Sequence, residues 1–286
     1  MRLALSAAVV AFLAGCSASP HSGRAQLVAP GPVSVAYSEF NMQLALVTVR
    51  TGAATEEARD EFDQRVARLG AALAASAFSR YPLLRRRFER FEFIIAEKDE
   101  MGSVSSGSGR VALLRPVSAL AASDAALAFI MAREMGHVIA DHHAENTGAS
   151  LVVSGLALLV LPLTGIANAV GALFAPAGGA AAASSASPIA ANVTTTAASF
   201  VGTKAVVRSY RAAQVEEADA IALQLLAPLC HGPRGIAEAF AGAAFPQDPN
   251  PWVAALQGSI DRLSRPNARP VRLGRDAQGN CPGQRF

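Results

Sequence analysis

Apolar and polar positions change period several times along the chain, and each change marks an expected element. Between Val33 and Arg50 the apolar residues partly alternate, and Leu44-Ala45-Leu46-Val47-Thr48-Val49 reads as a strand. From Thr55 to Ser79 the period lengthens: Ala58, Phe62, Val66, Leu69, Leu73 and Phe78 recur at helical spacing, behind Glu56 and Glu57, whose charges suit a helix N-terminus. Phe91-Glu92-Phe93-Ile94-Ile95 predicts a further strand. A Gly/Ser loop over Gly102 to Gly109 leads into another, Arg110-Val111-Ala112-Leu113-Leu114. Ser123 or Asp124 caps a helix expected to run to about Asn146. Later helices are expected over Val193 to Leu229, near Gly235 to Ala244, and from Pro251 to Leu263. The sum is an α+β chain, mainly helical, with a small sheet.

One stretch breaks both periods. Leu151 to Ala175 is apolar but interrupted by Pro162, Gly165, Asn168 and Gly171, and a run rich in Ala, Gly and Ser follows over Ala177 to Ser187. The length alone suits a membrane span. The interruptions favour a bent helix or hairpin, buried or lying on a membrane surface, as an insert over residues 148–187. No internal repeat is visible.

With 51% hydrophobic residues in 286, the chain can bury a core, so disorder is not the expectation. A net charge of +3 and the single basic run Arg85-Arg86-Arg87, read as a solvated helix end, argue against nucleic acid as a partner.

At the N-terminus, Arg2 precedes an apolar run from Leu3 to Leu13, and Leu13-Ala14-Gly15-Cys16 looks like the lipobox of a bacterial lipoprotein. That resemblance implies a signal peptide over residues 1–15, lipidation of Cys16 and a periplasm-facing protein anchored to the membrane by lipid. Ser17 favours the outer membrane. Residues 16–32, small, polar and proline-containing, suit a flexible stalk. The folded domain is expected over residues 33–264, with a tail over 265–286. In an oxidising compartment Cys230 and Cys281 can form a bridge that clips the tail to the body; the alternative is two independent thiols.

The candidate chemistry lies in Arg133-Glu134-Met135-Gly136-His137-Val138-Ile139-Ala140-Asp141-His142-His143 and in Val215-Glu216-Glu217-Ala218-Asp219. The first resembles the H-E-x-x-H helix of the M48 family of zinc metallopeptidases, in which two histidines four apart bind zinc and the intervening glutamate is the general base. The second resembles that family's E-x-E-A-D helix, whose first glutamate is the third ligand and whose aspartate supports the site. Carried over by position, the resemblance implies Glu134 as would-be base, His137 as the surviving ligand and Asp219 as the supporting aspartate. Arg133 and Val215 stand at the other two ligand positions, and neither offers a lone pair. The order of elements from about Phe62 to Leu263 follows the family, which implies an M48 peptidase-like fold of the zincin type. The Gly-rich edge strand that lines the substrate cleft of active relatives is represented loosely by Gly102 to Leu114.

Three ligands are the usual minimum for catalytic zinc. His142 and His143, five and six residues on along the same helix, point about 140° and 240° away from His137 and cannot replace the missing groups, so Asp141, four residues on, and a rotated Glu216 are the conceivable substitutes. Arg133 offers another solution, a fixed cation pairing with Glu216 or Asp219 to hold the two site helices together without metal, unless it reaches solvent. The expected function is therefore a non-catalytic binding or scaffolding relative that needs no cofactor. Its partners would be envelope proteins or polypeptides. The competing expectation is an active zinc metalloendopeptidase of periplasmic protein quality control. A third is a structural lipoprotein whose apolar insert associates with membrane or partner subunits.

Overall fold

The computed structural model describes residues 15–46, 56–150 and 211–265 of the chain. Its centre is α3 (Asp124–Ile139), whose residues from Ala126 onward are all buried. The Ser123 hydroxyl opens it by accepting the Ala126 N–H, satisfying one of the first-turn donors. The long α2 (Glu56–Arg80) packs Leu69 and Leu73 into the same core. So do α4 (Ala212–Leu226), through Ile221 and Leu225, and the late helices α5 (Pro233–Ala239) and α6 (Pro251–Ser264), through Ile236, Trp252 and Leu256.

Helices α3 and α4 approach so closely that a Cβ on Gly136 would lie 2.5 Å from the carbonyl oxygen of Ala218. The glycine inside the motif therefore serves helix packing.

A three-stranded sheet lies against this core in the order β3 (Glu92–Ala96), β5 (Arg110–Leu114), β4 (Ser103–Ser105), the first pair parallel and the second antiparallel. Strand β5 is buried on both faces. Val111 and Leu113 join the helical core, while Ala112 joins Val104, Met42 and Ala45 in a second cluster. Met42 and Ala45 belong to α1 (Gly31–Leu46), which covers the sheet face turned away from α3. The strand expected over Leu44 to Val49 is thus a helix as far as Leu46, and residues 47–49 lie outside the described residues. The reason is tertiary: Ser34, Ser38, Met42 and Ala45, spaced three or four apart, form the buried face. The expected Gly/Ser loop likewise contains β4, whose serines point into the protein.

Two further expectations change. The stretch expected as a flexible stalk carries a hairpin, β1 (Gly15–Ala18) paired antiparallel with β2 (Ala25–Val28), Cys16 opposite Leu27. The Ala29 N–H donates to the Ala144 carbonyl, and a Cβ on Gly148 would lie 2.6 Å from the Leu27 carbonyl oxygen, so the hairpin sits directly on the body. The helix expected to run to Asn146 stops at Ile139. Asp141 takes a left-handed conformation, φ +60°, which Asp tolerates better than most residues, and a second helical segment runs over 142–150. The insert beyond residue 150, the first part of the long helix before residue 211 and the tail beyond 265 lie outside the described residues. Among those described, no helix is long and apolar enough to cross a membrane.

Candidate functional site

Helices α4 and α6, strand β4 and the segment after Asp141 meet α3 between Arg133 and His137, and each motif residue has a different neighbour. Arg133 is 4% exposed, and its Nε lies 3.3 Å from Oδ1 of Asp219 on α4. The N–H is not aimed at that oxygen, so the contact is coulombic rather than an aligned hydrogen bond. The other Asp219 oxygen accepts from Nη2 of Arg262 on α6 at 2.6 Å. One carboxylate between two guanidinium groups joins three helices where an unpaired buried charge would be costly.

Glu134 faces the sheet. Its Oε1 accepts from Ser103 Oγ at 2.7 Å and Trp252 Nε1 at 3.3 Å, and its Oε2 from Ser105 Oγ at 3.0 Å, with the residue 2% exposed. The carboxylate is a hub tying β4 and α6 to α3.

His137 meets a residue that a straight helix would have sent elsewhere. Because Asp141 reverses the backbone, His142 folds back, and its Nδ1 lies 2.8 Å from His137 Nδ1. The far nitrogen of His142, Nε2, is 3.3 Å from Glu217 Oε2. Burial lowers the His142 pKa against the opposing pull of Glu217, so the imidazole is neutral near pH 7. Its Nε2–H then donates to Glu217, and its Nδ1 accepts from His137 Nδ1–H. Glu217 also accepts from Ser19 Oγ and from the Ser22 N–H at 3.2 Å, both on the hairpin. Burial would raise its pKa, but these donors and His142 outweigh it and hold the carboxyl below its usual range.

Beside this chain lies a second buried carboxylate, Glu145. Arg24 grips it with two nitrogens, each at 2.8 Å, Gln214 Nε2 donates at 2.8 Å, Gln26 Nε2 at 3.3 Å, and Arg211 closes the ring. Burial pushes the carboxyl up, but Arg24, Gln214 and the charge of Arg211 prevail and bring its pKa down to about 2.

A family model, peptidase family M48, matches residues 61–266. The chain belongs to peptidase family M48. A search of curated proteins finds no match.

At the two positions that the resemblance gives to the first and third ligands stand Arg133, a cation, and Val215, a hydrocarbon 6% exposed. The substitutes weighed from the sequence do not come in: Glu216 points to solvent, and Asp141 turns outward to accept from Arg87 at 2.8 Å. His142, ruled out on the assumption of a continuous helix, does reach His137, yet the pair stands at hydrogen-bond distance and Glu217 meets the far side of the His142 ring. The three groups do not converge on one point. Among the described residues no three His, Cys, Asp or Glu side chains form a metal-holding group. These residues do not fit the family's zinc.

Glu145, Ser19, Arg24, Trp252 and Arg262 escaped the sequence reading, which named His142 and Glu217 without the contact that joins them. The one available signal was Asp141 itself, a residue tolerant of left-handed backbone directly before two histidines. Cys230 is disulfide-bonded, while the expectation for Cys281 falls outside the described residues.

Proposed function

We propose that this M48-family chain is a lipid-anchored protein of the bacterial cell envelope, facing the periplasm from the outer membrane, in which an internal ion pair has replaced zinc coordination. It is a non-catalytic relative that binds or scaffolds envelope proteins or polypeptides. The observation that carries the reading is Arg133, a buried permanent cation at a ligand position, paired with Asp219. Glu134 supports it: three donors surround the carboxylate that would serve as base, and its role there is to hold β4 and α6. The disulfide at Cys230 suits an oxidising compartment, and an exposed Cys16 suits a lipid attachment point.

Zinc content and proteolysis test the reading together. The purified chain is dialysed and analysed for zinc beside the double variant Arg133→His, Val215→Glu, which restores both missing donors; casein cleavage is followed with Glu134→Gln as control. The expected result is no zinc and no cleavage in the parent, with zinc retained by the double variant. About one zinc per parent chain with Glu134-dependent cleavage would instead establish a working zinc metalloendopeptidase.

A further inference from the structure

Helix α1 is built inside out. Its buried positions include Ser34 and Ser38, while Val33, Tyr37 and Phe40 are 39%, 37% and 54% exposed. These three residues, at i, i+4 and i+7, form one stripe, which half-buried Leu44 continues. Polar contacts hold the helix this way round. Ser38 Oγ accepts the Gly107 N–H at 3.0 Å, and Glu39 accepts from Ser106 at 2.6 Å, from Ser108, and from Arg110 at 2.9 Å. Glu39 is the helix's only charged residue, and with it turned inward the outer stripe carries no charge to desolvate.

Where the chain's N-terminus lies decides what meets this stripe. Cys16 is exposed on β1 and pairs in register with Leu27, just before the start of α1 at Gly31. Adjacent strands lie about 5 Å apart and the stretch from Leu27 to Gly31 reaches at most about 13 Å, so whatever is attached at Cys16 emerges within roughly 20 Å of the N-terminal turn of α1. A lipid on Cys16 places hydrocarbon there, and so would the apolar run Leu3 to Leu13 if it stayed attached.

We propose that the Val33–Tyr37–Phe40 face of α1 lies on the surface of a lipid bilayer, seated next to the anchor. An uncharged helical face with aromatic residues at its centre suits the boundary between headgroups and acyl chains. This orientation turns α1 and the open end of the hairpin toward the membrane. The inference rests on membrane attachment at the N-terminus, part of the function proposed above, and on the stripe itself.

The test uses the full chain with Phe40→Trp, reconstituted into phosphatidylethanolamine/phosphatidylglycerol vesicles with and without brominated acyl chains. The parent chain, whose Trp252 is 5% exposed, supplies the baseline. The expected result is a blue shift of the added indole emission and loss of at least half of it to the brominated chains, with Val33→Ser, Tyr37→Ser in the same chain abolishing the quenching. Emission from position 40 that is insensitive to bromine while the protein co-sediments with vesicles would overturn the proposal. A concentration-dependent blue shift without vesicles would also overturn it, assigning the stripe to a second copy of the chain. The mass of the peptide carrying Cys16 reads the lipid separately, so an unmodified cysteine with strong quenching would refute lipidation while leaving the membrane face intact.

Discussion

Arg133, buried against Asp219, ties α3 to α4 by charge. The guanidinium is charged at any pH the protein meets, and its planar fork loses less entropy on pairing than an ammonium would. Removing one partner of a buried pair typically costs about 3–5 kcal/mol. Because Asp219 keeps Arg262, Arg133→Ala should fall at the lower end, about 3 kcal/mol, read as a drop in the urea midpoint with unchanged slope. Arg133→Lys should lie between. If Arg133→Ala melts like the parent, the ion pair does not hold these helices. Glu145 permits a sign to be worked out. Its folded pKa, about 2, lies below its ordinary 4.5, so between those values the folded protein binds fewer protons than the unfolded chain. The stability it contributes is fully present above about pH 4.5 and is lost as pH falls through 2. Thermal melting from pH 6 to 2.5 should therefore show a decline that Glu145→Gln flattens.

Elements are where sequence and structure part most instructively. Gly136→Ala would drive a methyl into the Ala218 carbonyl, a backbone group that cannot rotate aside, and overpacking of this kind costs about 1–3 kcal/mol. Chemical denaturation should register it, while Gly235→Ala, where the added methyl meets nothing, should not show a comparable loss. The long helices α2 and α6 were legible because their apolar residues repeat over several turns. So was β5, a short apolar run between turn residues. The break at Asp141 was not, since one inverted residue leaves no periodic trace and the flanking residues read as continuous helix. That omission hid the approach of His142 to His137. The hairpin escaped for a different reason: its strands are four residues long and owe their place to distant partners, Glu145 and Glu217, that no local pattern connects to Arg24 or Ser19. The expectation that Arg133 and Val215 stand at ligand positions came from the motif spacing, and the structure adds that both are buried.

At the scale of the whole molecule, residues 15–46 are part of the fold. The hairpin ties to both site helices, and α1 completes the second face of the sheet. A disulfide adds a covalent tie at Cys230, where the backbone turns left-handed after α4. Dithiothreitol should lower the melting temperature, by the equivalent of about 2–4 kcal/mol for a bridge in a single domain, and Cys230→Ser should remove that sensitivity. The Arg133–Asp219 contact has one more consequence, in how the molecule meets its surroundings. A coordinated ion is in exchange with its environment and can be taken by any stronger binder, whereas a guanidinium is covalently part of the chain. Chelators such as EDTA should therefore leave the melting temperature of this protein unchanged, and growth in metal-starved medium should leave its folded amount unchanged.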